Sequence, residues 1–96
     1  MNFEGNYNCA GFHMTFANGL TASVQWGYGT YSDNRFNDHN ESDTAEVAVI
    51  GVDGHLLGHI EDFLPESVES YDDEVAGYLT SDEVMEFLWK VKNYKM

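Results

Sequence analysis

The dipeptide Asn18-Gly19 constrains the topology of this chain more than any other feature. Before it, Phe12, Met14 and Phe16 alternate with His13 and Thr15. After it, Leu20, Ala22, Val24 and Trp26 alternate with Thr21, Ser23 and Gln25. A period of two puts every apolar side chain of a run on one face of a strand. Asn-Gly between two such runs is the strongest short hairpin marker, because both residues tolerate positive φ. The expectation is a pair of antiparallel strands with one apolar face and one hydroxyl-rich face.

A third strand is predicted over Thr44–Gly51. Its near-continuous apolar centre, Val47-Ala48-Val49-Ile50, suits a strand covered on both faces. Asp53-Gly54 marks a second hairpin, which makes His55–Ile60 the expected fourth strand, and Pro65 ends any continuation. Residues 61–78 read as an acidic connector with a short helical turn at 67–71. Residues 1–10 read as a polar leader or sheet edge, and residues 27–43 as one long loop. Thr80-Ser81-Asp82-Glu83 is a capping box, with Leu79 and Val84 placed as a hydrophobic staple. Val84, Phe87, Leu88 and Val91 then follow the i, i+3, i+4, i+7 rule of a helix over 80–93. The fold expected is α+β, one domain over 1–96: an antiparallel meander of about four strands packed on one C-terminal helix.

Hydrophobic residues make up 43% of the 96, enough for a single core without metals or disulfides. The charge is lopsided. Seventeen acids face four bases, for a net charge of −13, and Arg35 is the sole base before Lys90, Lys92 and Lys95. Binding to a phosphate backbone requires Lys and Arg to displace counterions, so direct binding of nucleic acid or of an anionic membrane is not expected. The natural complement is a basic surface on another protein. Cys9 is the only cysteine, so no internal disulfide is expected and a reducing cytosol is the simple reading. No signal peptide is visible at Met1–Gly5, and no apolar run approaches a membrane span.

Two surfaces are candidates for binding. In the long loop, Trp26, Tyr28, Tyr31, Asp33, Asn34 and Arg35 combine aromatic, amide and charged groups around Gly27 and Gly29, the ordinary equipment of a recognition loop. The competing reading has Trp26 and a tyrosine closing the core while Arg35 pairs with nearby acids. The loop is not a phosphate loop, since it has neither the glycine spacing nor the Lys-Ser/Thr end. The second surface is acidic: Glu61, Asp62, Glu66, Glu69, Asp72, Asp73, Glu74, Asp82 and Glu86, together with Glu83, with no base among them. It could imitate the charge density of DNA, or simply be a solvated face.

No metal site is expected. Asp33, Asp38, Asn40, Glu41 and Asp43 crowd one loop but miss the EF-hand spacing, and Cys9, His13, His55 and His59 do not form a zinc pattern. No nucleophile elbow or dinucleotide fingerprint is present, so neither a cofactor nor enzymatic activity is expected.

The runs Phe16–Asn34, Thr44–Val49 and Gly77–Val84 resemble small proteins of tailed bacteriophages, in which an Asn-Gly hairpin leads into a Gly/aromatic loop, an Ala-Glu-Val-Ala strand and a capped final helix. The resemblance spans most of residues 12–92 and carries no catalytic motif. It implies phage origin and a place of action in the cytoplasm of the infected bacterial host. The leading expectation is an acidic inhibitor of a host defence protein, of anti-CRISPR or anti-restriction type, acting through its negative surface, with DNA mimicry as one form of that action. The alternatives are a sponge that sequesters a nucleotide-derived immune signal in a pocket at the Gly/aromatic loop, and a virion structural or assembly protein. A homodimer through an exposed strand edge or Trp89 is compatible with the sequence, although like charges oppose it.

Overall fold

The computed structural model describes residues 3–4, 9–27, 29–35, 41–70 and 72–95. Its main sheet has four antiparallel strands: β2 (Cys9–Thr15), β3 (Thr21–Gly27), β5 (Ala45–Ile50) and β6 (Val75–Leu79), in the order β2-β3-β5-β6. A separate two-residue pair joins β1 (Phe3–Glu4) to β4 (Glu41–Ser42). One helix, α1 (Ser81–Lys92), closes the fold. The α+β meander on a C-terminal helix is therefore the observed architecture.

The hairpin forms in the register its alternation dictates, with Phe12 opposite Val24 and Met14 opposite Ala22. Its turn is longer than a two-residue Asn-Gly loop. Gly19 alone takes positive φ (89°), and its N–H donates to the carbonyl of Phe16. The Asn18 side chain serves the turn and a distant task at once: its Oδ1 accepts from Leu20 N–H (3.0 Å). Its Nδ2 donates to the carbonyl of Val91 (2.8 Å) and that of Tyr94 (3.0 Å), at the C-terminal end of α1. The last carbonyls of a helix have no partner within it, so the hairpin turn caps the helix across the core. Asn18→Gly keeps the turn accessible and removes these bonds. It is expected to cost about 1–2 kcal/mol, read as a lowered urea midpoint at unchanged slope.

The fourth strand is not where the second hairpin marker placed it. Asp53-Gly54 does turn the chain, with Gly54 at φ 86° and His55 N–H donating to Asp53 Oδ1. The returning segment makes only a single bridge, Ile50 to Leu56. His59 then takes a left-handed conformation (φ 57°) and a single 3-10 turn, Ile60–Phe63, follows. This turn lies earlier than the one expected at 67–71. It buries Ile60 and Phe63 under the sheet instead of adding them to its edge. The place beside β5 goes to Val75–Leu79, all but its last residue inside the 61–78 stretch read as connector. Gly77 explains the choice: a Cβ there would overlap the Cβ of Tyr31, so this strand can sit beneath the 29–35 loop only without a side chain at that position.

The core lies between one sheet face and α1. Ala22, Val24 and Trp26 of β3, and Ala45, Val47 and Val49 of β5, meet Val84, Phe87 and Val91 of the helix, with Ile60, Phe63 and Leu79 closing the rim. The capping box is complete: Glu83 N–H donates to Thr80 Oγ1, and Thr80 N–H donates to Glu83 Oε1 (2.9 Å). That N–H, with the Ser67 and Thr80 hydroxyls, holds the Glu83 carboxyl below its ordinary range. The carboxylate therefore stabilises the fold above that range, and its contribution fades as pH falls through the lowered value.

Candidate protein-binding surface

The 27–35 loop is held by its own polar groups. Thr30, Ser32 and Asn34 are buried. Gly27 N–H donates to Asn34 Oδ1 (2.8 Å), Ser32 Oγ donates to the same oxygen (2.7 Å), and Thr30 Oγ1 donates to the Gly27 carbonyl (2.7 Å). Among the described residues, every buried side-chain nitrogen and oxygen has a partner. Trp26 is a core residue whose ring stands edge-on to Phe12. Of the loop residues expected to contact a ligand, Trp26 and Asn34 are thus built into the scaffold. Tyr31 and Arg35 are half-buried, Asp33 is exposed, and Tyr28 lies outside the described residues.

Arg35 is committed as well. Its guanidinium sits 4.5 Å from the centre of the Tyr31 ring, a cation–π geometry. Its charge also reaches Glu46, which accepts from Tyr31 N–H (3.2 Å). Burial pushes the Glu46 carboxyl above its ordinary value and Asp72 adds to the rise, while the Tyr31 N–H and Arg35 pull the other way. A raised value means the folded chain prefers the protonated acid. The stability this brings is complete below the ordinary value of 4.5 and is lost as pH rises through the raised one. Glu46→Gln is therefore expected to raise the melting temperature by a few degrees at neutral pH and to leave it unchanged in acid, as calorimetry over a pH series would show.

The acidic residues are otherwise placed. Glu61, Asp62, Glu66, Glu69, Asp72, Asp73, Glu74, Asp82 and Glu86 are all exposed. The fold brings the connector against the start of α1: Ser67 Oγ donates to Glu83 Oε2 (2.7 Å), and Glu69 and Glu83 line one shallow groove with Val68, Gly77 and Tyr78. A second group gathers where His59 Nδ1 lies 3.7 Å from both Glu61 Oε1 and Asp73 Oδ1. These are the described residues whose ligand atoms could approach one metal ion, and all three are open to solvent.

The outer face of α1 adds what the charge pattern alone does not convey. Asp82, Met85, Glu86 and Trp89 share the face opposite the Val84-Phe87-Val91 stripe. Met85 is 61% exposed and Trp89 64%. The pair is four residues apart and so adjacent on the helix. Lys92 stands 5.6 Å above the Trp89 ring, while Lys90 turns away to donate to the Leu64 carbonyl (3.0 Å). By sequence Trp89 lies off the main stripe, where it either widens the core contact or is exposed, and the structure leaves it exposed. Met85 was legible by the same count, since 100° per residue puts it beside Trp89. An exposed Trp and Met flanked by acids form an amphipathic patch in which an aromatic side chain can anchor a protein contact.

No helix among the described residues is long and apolar enough to cross a membrane. Comparison with protein-family models, with curated proteins and with solved structures found no match.

Proposed function

We propose that this chain is an acidic binding protein that inhibits a host protein by occupying a basic surface on it, with Trp89 and Met85 as the apolar anchor and Asp82 and Glu86 as the charged rim. The observation that carries this reading is the exposure of Trp89 and Met85 on the acidic outer face of α1. A solvated acidic face has no use for an exposed tryptophan, whereas interface centres are enriched in Trp, Met and Arg. The phage resemblance directs the proposal to a defence protein whose nucleic-acid groove is lined with Lys and Arg, acting in the cytoplasm of an infected bacterium. Occlusion of that groove is the mechanism: carboxylates steer the encounter over a Debye length of about 8–10 Å, and the tryptophan slows release.

The test is retention of host protein on the immobilised chain. A specific protein held at low salt and released as salt rises is the expected result. No protein held at low salt would end the proposal.

A further inference from the structure

Edge strand β2 differs from the rest of the surface. From Gly5 to Ser32 the chain contains no Asp, Glu, Lys or Arg, although its net charge is −13. Natural edge strands are usually blunted by charge, proline or shortness. β2 runs seven residues, Cys9–Thr15, and has none of these. The neighbouring strands fix which of its backbone groups are free. Phe16 N–H donates to the Leu20 carbonyl, and the ladder alternates from there. Phe12 and Met14 therefore exchange bonds with β3, while the N–H and C=O of Cys9, Gly11, His13 and Thr15 point outward. The short Thr15 Oγ1 to Thr21 Oγ1 contact (2.7 Å) agrees, because side chains lie closest in the non-bonded pairs. Among the described residues, no strand pairs with this edge.

The apolar face also stops short of closure here. Ala10 and Phe12 are only partly buried and Met14 is 42% exposed, although their partners Trp26, Val24 and Ala22 are buried. A groove of about 450 Å³ at this edge is lined by Ala10, Gly11, Phe12, His13 and Gln25.

We propose that β2 is a homodimer edge, pairing antiparallel with β2 of a second copy about a two-fold axis through Phe12. In that register Cys9 faces Thr15 and Gly11 faces His13, so every outward group of both strands finds a partner. Ala10, Phe12 and Met14 of the two copies meet on one face and complete the apolar layer. A second copy is the occupant because this strip is self-complementary and neutral, whereas a basic partner would be drawn to the acidic faces. The two sheets become one of eight strands, and the two acidic helices remain free. The proposal is independent of the protein-binding reading, which uses the outer face of α1.

Sedimentation equilibrium of the full chain, with amide hydrogen exchange, tests it. The expected mass is twice 10.9 kDa, with Gly11, His13 and Thr15 amides protected. Since the copies repel elsewhere, dimerisation strengthens several-fold between about 10 mM and about 150 mM salt, opposite to the behaviour of a charge-driven complex. His13→Pro removes an outward N–H that β3 does not use, and is expected to give a folded monomer. Met14→Lys, which places like charges in the apolar strip, does the same by a route that leaves the backbone intact. A chain that stays monomeric at millimolar concentration and moderate salt overturns the proposal. So does a dimer that survives both substitutions, or one whose Gly11 and His13 amides exchange freely.

Discussion

Phe87→Ala is expected to destabilise the domain by about 3–5 kcal/mol, most of what a chain of this size has to lose. Phe87 is wholly buried at the centre of the helical stripe, between Val84 and Val91. The helix packs on β3, β5, β6 and the 3-10 turn, and Phe87 has no exposed surface, so the cavity would be enclosed and could not collapse easily. At roughly 4–8 °C per kcal/mol for a domain of this length, the melting temperature should fall by on the order of 20 °C. Met85→Ala, two residues away on the same helix but facing solvent, should change it by no more than a few degrees. Thermal unfolding followed by far-ultraviolet circular dichroism compares the two directly. Equal losses would mean that the helix does not present the face described.

Trp89→Ala should show the reverse pattern, leaving the fold intact and weakening partner binding by about 30-fold or more. The ring is 64% exposed and its only described ring contact is with Lys92 at 5.6 Å. Such an exposed cation–π pair contributes only about 0.5–1 kcal/mol. In an interface the same ring would be desolvated and surrounded by polar groups, where truncating a tryptophan anchor commonly costs about 2 kcal/mol or more. Substituting the flanking acids, Asp82→Asn with Glu86→Gln, should act differently. It should slow association and flatten the salt dependence more than it speeds release, because rim charges act on encounter. Kinetics by surface plasmon resonance separate the two effects.

Local chemistry explains which parts of the structure were legible in the sequence. The β2–β3 hairpin, the β5 strand and the capped helix are each written in a handful of adjacent residues: an alternation, an apolar run, a Thr-x-x-Glu box. The fourth strand was hidden because Val75-Ala76-Gly77-Tyr78-Leu79 has a glycine at its centre and follows a run of acids, two features that read as loop. Its true determinant is Tyr31, some forty-five residues earlier, which needs a position without a side chain beneath it. Asn18 is a similar case. Its turn-forming role is local and visible, but its bonds to the end of α1 arise only when the hairpin and helix are brought together. The loop residues carried a real ambiguity. Asn34 and Trp26 have the chemistry of recognition, and burial assigns them to the scaffold. The acids were visible as exposed charge, and the phase of the helix turns Met85 and Trp89 outward with Asp82 and Glu86. What the sequence left open was whether Trp89 widens the core contact, and its 64% exposure decides that.

A binding role for the outer face of α1 is decided by titrating the captured host protein against wild type and Trp89→Ala over a salt series. Wild type should bind tightly and weaken steadily with salt, while Trp89→Ala should lose most of its affinity at every salt concentration with an unchanged melting temperature. Equal affinities for the two chains would mean that this face does not bind the partner.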